Sequence, residues 1–390
     1  MAKTQSDLVV TTHKLRYDAS PSITQNTIIS LNFNKYDDRF LDPRSLLACF
    51  NLQGSSSDVY AMIDGTIQTV FGKIRLLSGT KEIMCIYEAG LVLQSMHDIQ
   101  TEINTSYVNK YLDGDASPAE RRAWFSLGSP GRQYECKVAP KGSFLDSDTL
   151  IPVGRMSNLQ LEITFNSFAK SIFSTDTAAS WSIKNFELHC SYIQSATISQ
   201  YFNTNPLRVT VQDYNWSQNS FLSATAAMLR VPSNVKSLNK MLVLLRNATT
   251  SQAITTLEKN RVCLNGSTIQ QYNVRINGAY LYEEAVNGFG NLSVDQFQEF
   301  VKAFPHVLHS FYYDSSFFSG SQNRLGVNFE SAPVEFRKEL ISGVDTSRLN
   351  SDIIVEILFN TPTTCRVDVL LISDVTVSLL GNRGDLMIEK

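Results

Sequence analysis

Apolar residues alternate with polar ones along two windows of this chain. In Leu159-Gln-Leu-Glu-Ile-Thr-Phe165, the side chains of Leu159, Leu161, Ile163 and Phe165 fall on one side. In Ile353-Ile-Val-Glu-Ile-Leu-Phe359, those of Ile353, Val355, Ile357 and Phe359 do the same. A period of two is the repeat of an extended strand, whose successive side chains point to opposite faces, so both windows predict half-buried strands. The windows also resemble each other. LEITFN at 161–166 and VEILFN at 355–360 stand 194 residues apart, just under half of the 390-residue chain. After a polar interval each is followed by a second strand-like run, Trp181–Ile193 in the first half and Cys365–Val377 in the second. A strand pair recurring at half the chain length predicts duplication of a domain of about 195 residues.

Further strand signals are short and frequent: Thr27–Phe33, Leu46–Leu52, Ile83–Tyr87, Gln133–Val138, Leu207–Val211, Met241–Leu245 and Tyr272–Ile276. Turn-forming stretches such as Gly54-Ser-Ser-Ser-Asp58 and Asn265-Gly-Ser267 separate them. That spacing belongs to a sandwich or barrel, not to strands alternating with helices. Helical signals are local. Glu88–Leu112 has helical spacing with Gly114 beyond it as a stop, and Ser117-Pro-Ala-Glu120 has the form of a capping box. Ser293-Val-Asp-Gln296 leads into a third helix over 297–304. These read as helices inserted in long loops. The polar stretch Ala196–Pro206 places the boundary between halves. The expected division is an N-terminal arm over 1–25, a first domain over 26–198 and a second over 199–390.

Composition changes the picture mainly by exclusion. Charged residues make up 18% of the chain, against roughly 25% in an average domain. Asn, Ser, Thr and Gln fill the gap beside 22 Phe and 15 Tyr, a mixture that suits strands and turns better than solvent-facing helices. The net charge is −3, and the first 22 residues carry only Lys3, Lys14 and Arg16, which argues against direct nucleic-acid binding. No signal-peptide core and no membrane-length apolar run is present in the sequence. The six cysteines (Cys49, Cys85, Cys136, Cys190, Cys263, Cys365) lack any C-x-x-C spacing and read as free thiols in a reducing interior, which makes sequons such as Asn104-Thr-Ser and Asn247-Ala-Thr chance matches.

Candidate chemistry is sparse. The five histidines are His13, His97, His189, His306 and His309, and His306-x-x-His309 could place two imidazoles on one helical face as metal ligands. No H-E-x-x-H accompanies it and Pro305 precedes it, so a structural role is expected. Neither H-x-H, G-x-S-x-G, a P-loop nor G-x-G-x-x-G occurs. Gly288-Phe-Gly290 reads as a flexible loop, and the acid pairs Glu283-Glu284 and Asp37-Asp38 as solvated loop residues. Phe311-Tyr-Tyr313 with Phe317-Phe318 reads as core or subunit-contact anchors ahead of a sugar platform. Arg383-Gly384-Asp385 matches an integrin-binding tripeptide, but a polar turn after the last strand is the expected role. The sequence therefore predicts no enzyme: no catalytic residue, no cofactor and no metal site.

The stretch Leu150-Ile-Pro-Val-Gly-Arg-Met-Ser-Asn-Leu-Gln-Leu-Glu-Ile-Thr-Phe165, followed by Ile183-Lys-Asn-Phe-Glu-Leu-His-Cys-Ser-Tyr-Ile193, resembles the end of the first jelly roll in double jelly-roll major capsid proteins. These belong to the adenovirus-hexon-like lineage of double-stranded DNA viruses. The resemblance covers about 50 residues in the first half and about 40 in the second. It implies an all-β chain of two tandem eight-stranded jelly rolls (β-sandwiches), with short helices in inserted loops. It further implies a homotrimer whose six jelly rolls fill a hexagonal place in an icosahedral shell, with loops from 88–129 and 264–326 as candidate towers and trimer contacts. Partners on this reading are further copies of the chain, minor capsid or penton proteins, and a possible internal membrane beneath the shell. The location implied is the virion, assembled in the host cell interior. A minor or vertex virion protein and a carbohydrate-binding tandem β-sandwich are the alternatives.

Overall fold

The computed structural model describes residues 8–20, 22–54, 61–62, 67–100, 133–138, 142–173, 179–205, 207–247, 263–264, 266–291, 293–309, 324–330, 343–347, 352–380 and 385–390. The first half contains β1 (Val9–Arg16), β2 (Ile28–Asn32), β3 (Arg39–Gly54), β4 (Ala61–Met62), β5 (Phe71–Ser78), β6 (Lys81–Tyr87), β7 (Gln133–Val138), β8 (Leu159–Phe165), β9 (Ile172–Phe173) and β10 (Trp181–Gln194). Two four-stranded antiparallel sheets result, in the orders β1-β10-β3-β7 and β2-β8-β5-β6. The alternation read from the sequence explains their packing. Leu159, Leu161, Ile163 and Phe165 of β8 are buried between the sheets, and Gln160, Glu162 and Thr164 face outward. Phe50 stacks on Phe186 at 5.7 Å, and Phe165 meets Trp181 edge-on at 6.2 Å. The Trp181 indole N–H donates to Ser171 Oγ at 2.7 Å, so this buried polar atom is satisfied.

The second half contains β11 (Leu207–Pro232), β12 (Leu238–Asn247), β13 (Ile269–Ile276), β14 (Ala279–Tyr280), β15 (Val286–Asn287), β16 (Arg324–Asn328), β17 (Asp352–Leu380) and β18 (Asp385–Glu389). Here β11 and β17 run 26 and 29 residues and pair along nearly their whole length, with register shifts between Phe221 and Ala226. Dividing both strands at those shifts recovers two sheets. One holds the start of β11, the end of β17, β12 and β16; the other holds the end of β11, the start of β17, and β13 with β14 and β15. Apart from β18, which adds to the end of β17, these orders repeat those of the first half. Each half is a jelly roll.

The repeat extends to register. Ile74 of β5 lies opposite both Ile163 and Ile86, and Tyr272 of β13 lies opposite both Ile357 and Val286. On the outer face, Arg75 of β5 lies opposite Glu162 of β8 and donates to it at 2.9 Å, whereas Glu356 of β17 lies opposite Asn273 and pairs with Arg275, two residues further along β13. The two glutamates stand the same 194 residues apart as the two windows.

The structure corrects several expectations. Ile353–Phe359 and Cys365–Val377 are one strand, because the short interval between them stays extended and Thr363 pairs with Ala224. The matching interval in the first half is longer and holds a helical turn at Phe168–Ser171. Residues 1–25 are not simply an arm: Val9–Arg16 pairs along all eight residues with β10, and Leu15 is buried. The proposed boundary falls inside a helix, α2 (Ala196–Thr204), capped by Ser195 Oγ accepting from the Ile198 N–H. Its Phe202 stacks on Phe40 of the first jelly roll at 4.9 Å. Of the expected helix over 88–112, Ala89–Gln100 forms α1, with Leu91, Val92 and Met96 buried; 101–112 and Ser117–Glu120 lie outside the described residues. Asp295–Ala303 forms α3, and Ser293 Oγ accepts from the Asp295 N–H.

Candidate functional site

The residues nominated for chemistry do not converge. His306 is exposed on a turn of 3-10 helix over Pro305–His309, and His13 packs edge-on against Tyr192 at 5.0 Å. Among the described residues no group of three or more His, Cys, Asp or Glu side chains could hold a metal ion. All six cysteines are free and buried. Burial pushes the Cys136 thiol up to about 12 and those of Cys190 and Cys365 up to about 11, so none is poised as a thiolate nucleophile. Glu283, Glu284, Asp37 and Asp38 are exposed, as expected of solvated acids. Gly288-Phe-Gly290 is not a loose loop. A Cβ on Gly288 would lie 2.4 Å from the Ile269 carbonyl oxygen, so the turn is packed onto β13. The 311–318 aromatics and Arg383-Gly384 lie outside the described residues, and Asp385 begins β18.

What the fold does build is surfaces. The outer face of β1-β10-β3-β7 is charged. Glu187 of β10 accepts from Arg16 Nε at 2.8 Å, lies 3.4 Å from Lys14 Nζ, and is 3.0 Å from His189 Nε2. The His189 hydrogen bond, helped by Lys14, holds the Glu187 carboxyl below the usual carboxylate range. An ionised carboxylate only accepts, so His189 Nε2 donates to it, and His189 Nδ1 lies 3.8 Å from Cys49 Sγ. The order Cys–His–Glu matches a nucleophile relay, but burial pushes the Cys49 thiol up and the glutamate is shared with two cations. The chain of contacts is therefore structural. Sequence reading missed it because Cys49 and Glu187 meet only through strand register. The one available signal was Glu187-x-His189, two polar residues on the same face of a strand.

A second surface joins the two jelly rolls. Tyr214, Trp216, Leu370 and Ile372 belong to the same apolar cluster as the first-half core. At Gly142, whose φ of 139° lies where side chains are strained, an added Cβ would meet Ile86, Leu93 and Tyr214 at 2.7, 3.1 and 3.8 Å. Lys81 Nζ of the first half donates to the Leu386 carbonyl of the second at 2.7 Å. The two halves are thus welded through an apolar joint. Beside it, Asp368 is fully buried between Arg246 and Arg366, with Arg366 Nε donating at 2.9 Å.

No family model and no curated protein matches the sequence. Solved structures do match. VP54 of PBCV-1, fitted into a cryo-EM reconstruction of the virophage Sputnik, is similar with a TM-score of 0.67 at 10% identity, over 99% of this chain and 98% of that one. A quasi-atomic model of the PBCV-1 virus capsid gives 0.66 at 11% identity, over 99% and 98%. The Faustovirus major capsid protein gives 0.63 at 10% identity, over 96% and 91%. At such identities the likeness is one of fold, and it spans at least 96% of this chain and 91% of each of the others. The two sandwiches built from duplicated strand orders are the double jelly-roll fold shared with these viral capsid structures.

Proposed function

We propose that this chain is a viral major capsid protein that acts structurally, not as an enzyme. Three copies form a pseudo-hexameric capsomer, and capsomers tile an icosahedral shell. The observation that carries this reading is the duplicated jelly roll, with matching strand order in both halves. A trimer of such chains presents six similar wedges, so it can occupy a six-sided place in a lattice although its own symmetry is threefold. The fold likeness to PBCV-1 and Faustovirus capsid structures supports the same reading. We assign strands β1 to β10 to the first jelly roll and β11 to β18 to the second, with helix α2 between them and the virion as the protein's location. Its partners are other copies, and minor capsid or penton proteins at the vertices. Genome contact is left to other components, in keeping with a net charge of −3.

The test is the mass of the purified protein by light scattering. A stable species of three times the 43.6 kDa chain is expected. A monomer at micromolar concentration contradicts it. A carbohydrate-binding sandwich would instead bind sugar as a monomer.

A further inference from the structure

The two jelly rolls of one chain touch through unlike surfaces. The second half supplies the outer face of its β11–β17–β12–β16 sheet, through Tyr214, Trp216 and Ile372. The first half supplies an edge, through Ile86 of β6 and the turn at Gly142. Both surfaces have counterparts across the duplication. Because Ile86 and Val286 occupy equivalent positions beside Ile74 and Tyr272, the segment 280–287 of the second half repeats β6. The outer face of β1-β10-β3-β7 in turn repeats the covered face of the second half. Among the described residues, each chain therefore uses one face and one edge internally and leaves one of each open.

A contact between unlike surfaces joins copies head to tail, and such contacts form a ring when the rotation closes. We infer that the open face carrying Lys14, Arg16 and Lys137 binds the 280–287 edge of a second copy of this chain. This rests on the capsomer reading and names its joint. The chemistry of the two open surfaces is complementary. Lys14 and Arg16 are 54% and 63% exposed beside Glu187, and Lys137, paired with Glu135, stands across the sheet, so the cations outnumber the carboxylates here. The edge exposes Tyr280, Glu283 and Glu284. The joint within a chain is apolar, and the joint between chains is charged. A subunit that folds before it assembles keeps its open faces soluble this way, and opposed charge fixes the register of docking.

The test compares three variants with the wild type by sedimentation velocity at physiological salt. These are Glu283→Lys with Glu284→Lys, Lys14→Glu with Arg16→Glu, and all four changes together. Each double variant is expected to lose the trimer boundary while keeping its circular dichroism, and the quadruple variant is expected to regain it. Double variants as trimeric as the wild type, or a quadruple variant that stays monomeric, overturn this contact and leave the capsomer reading standing. A monomeric wild type overturns both.

Discussion

Ile163 and Ile357 stand 194 residues apart and pair with Ile74 and Tyr272 in the two jelly rolls. They are 0% and 1% exposed and belong to separate apolar clusters. If the halves are duplicates, truncating either residue must cost a similar amount. Ile→Ala removes three carbons, worth about 2.4 kcal/mol at roughly 0.8 kcal/mol each. A residual cavity on the order of 50 Å³ adds about 1 kcal/mol at roughly 24 cal/mol per Å³. The sum, about 3 to 4 kcal/mol, sits within the range of measured Ile→Ala losses. Because the sites share no cluster, the double variant should show the sum of the two losses to within about 0.5 kcal/mol. Thr164→Ala, one residue along on the outer face, should change stability by about 0.5 kcal/mol or less. Guanidinium unfolding, followed by tryptophan fluorescence and circular dichroism, measures all four. A loss under about 1 kcal/mol at either isoleucine would refute the reasoning, as would a Thr164→Ala loss equal to that of Ile163→Ala, because a slip of one residue exchanges the two faces.

Two further expectations follow from buried and shared charge. Asp368→Ala leaves the guanidiniums of Arg246 and Arg366 without their buried carboxylate and should destabilise the chain by about 3 to 5 kcal/mol, read as a fall in the denaturation midpoint. Glu187 has its carboxyl held low by the His189 hydrogen bond. The stability it contributes is therefore present above the unfolded carboxylate pKa and is lost as pH falls through the lower folded value. Melting measured from pH 7 downward should show a steeper acid loss in the wild type than in Glu187→Gln, and parallel curves would contradict this.

Several strands were legible because their inward rows are apolar. Leu159–Phe165 and Gln133–Val138 have the bounds that alternation predicted, and Trp181–Gln194 differs by one residue. Strand β1 was not legible. Its inward row offers Thr11, His13 and only one buried aliphatic side chain, Leu15, while Lys14 and Arg16 give it the look of a solvated arm. The edge near 280 was missed for a similar reason, since Tyr280, Glu283 and Glu284 leave little periodic apolar signal. Continuity through 360–364 was hidden because a polar interval reads as a turn, and only pairing with β11 keeps it extended. The charged face around Glu187 depends on register between strands more than 130 residues apart, which no local pattern encodes.

End-on class averages of the purified protein by cryo-electron microscopy test the duplicated-wedge capsomer most directly. Six similar densities around a threefold centre, alternating in small detail between the two jelly rolls, are the expected result. Three isolated densities, or particles holding a single pair of sandwiches, would contradict it.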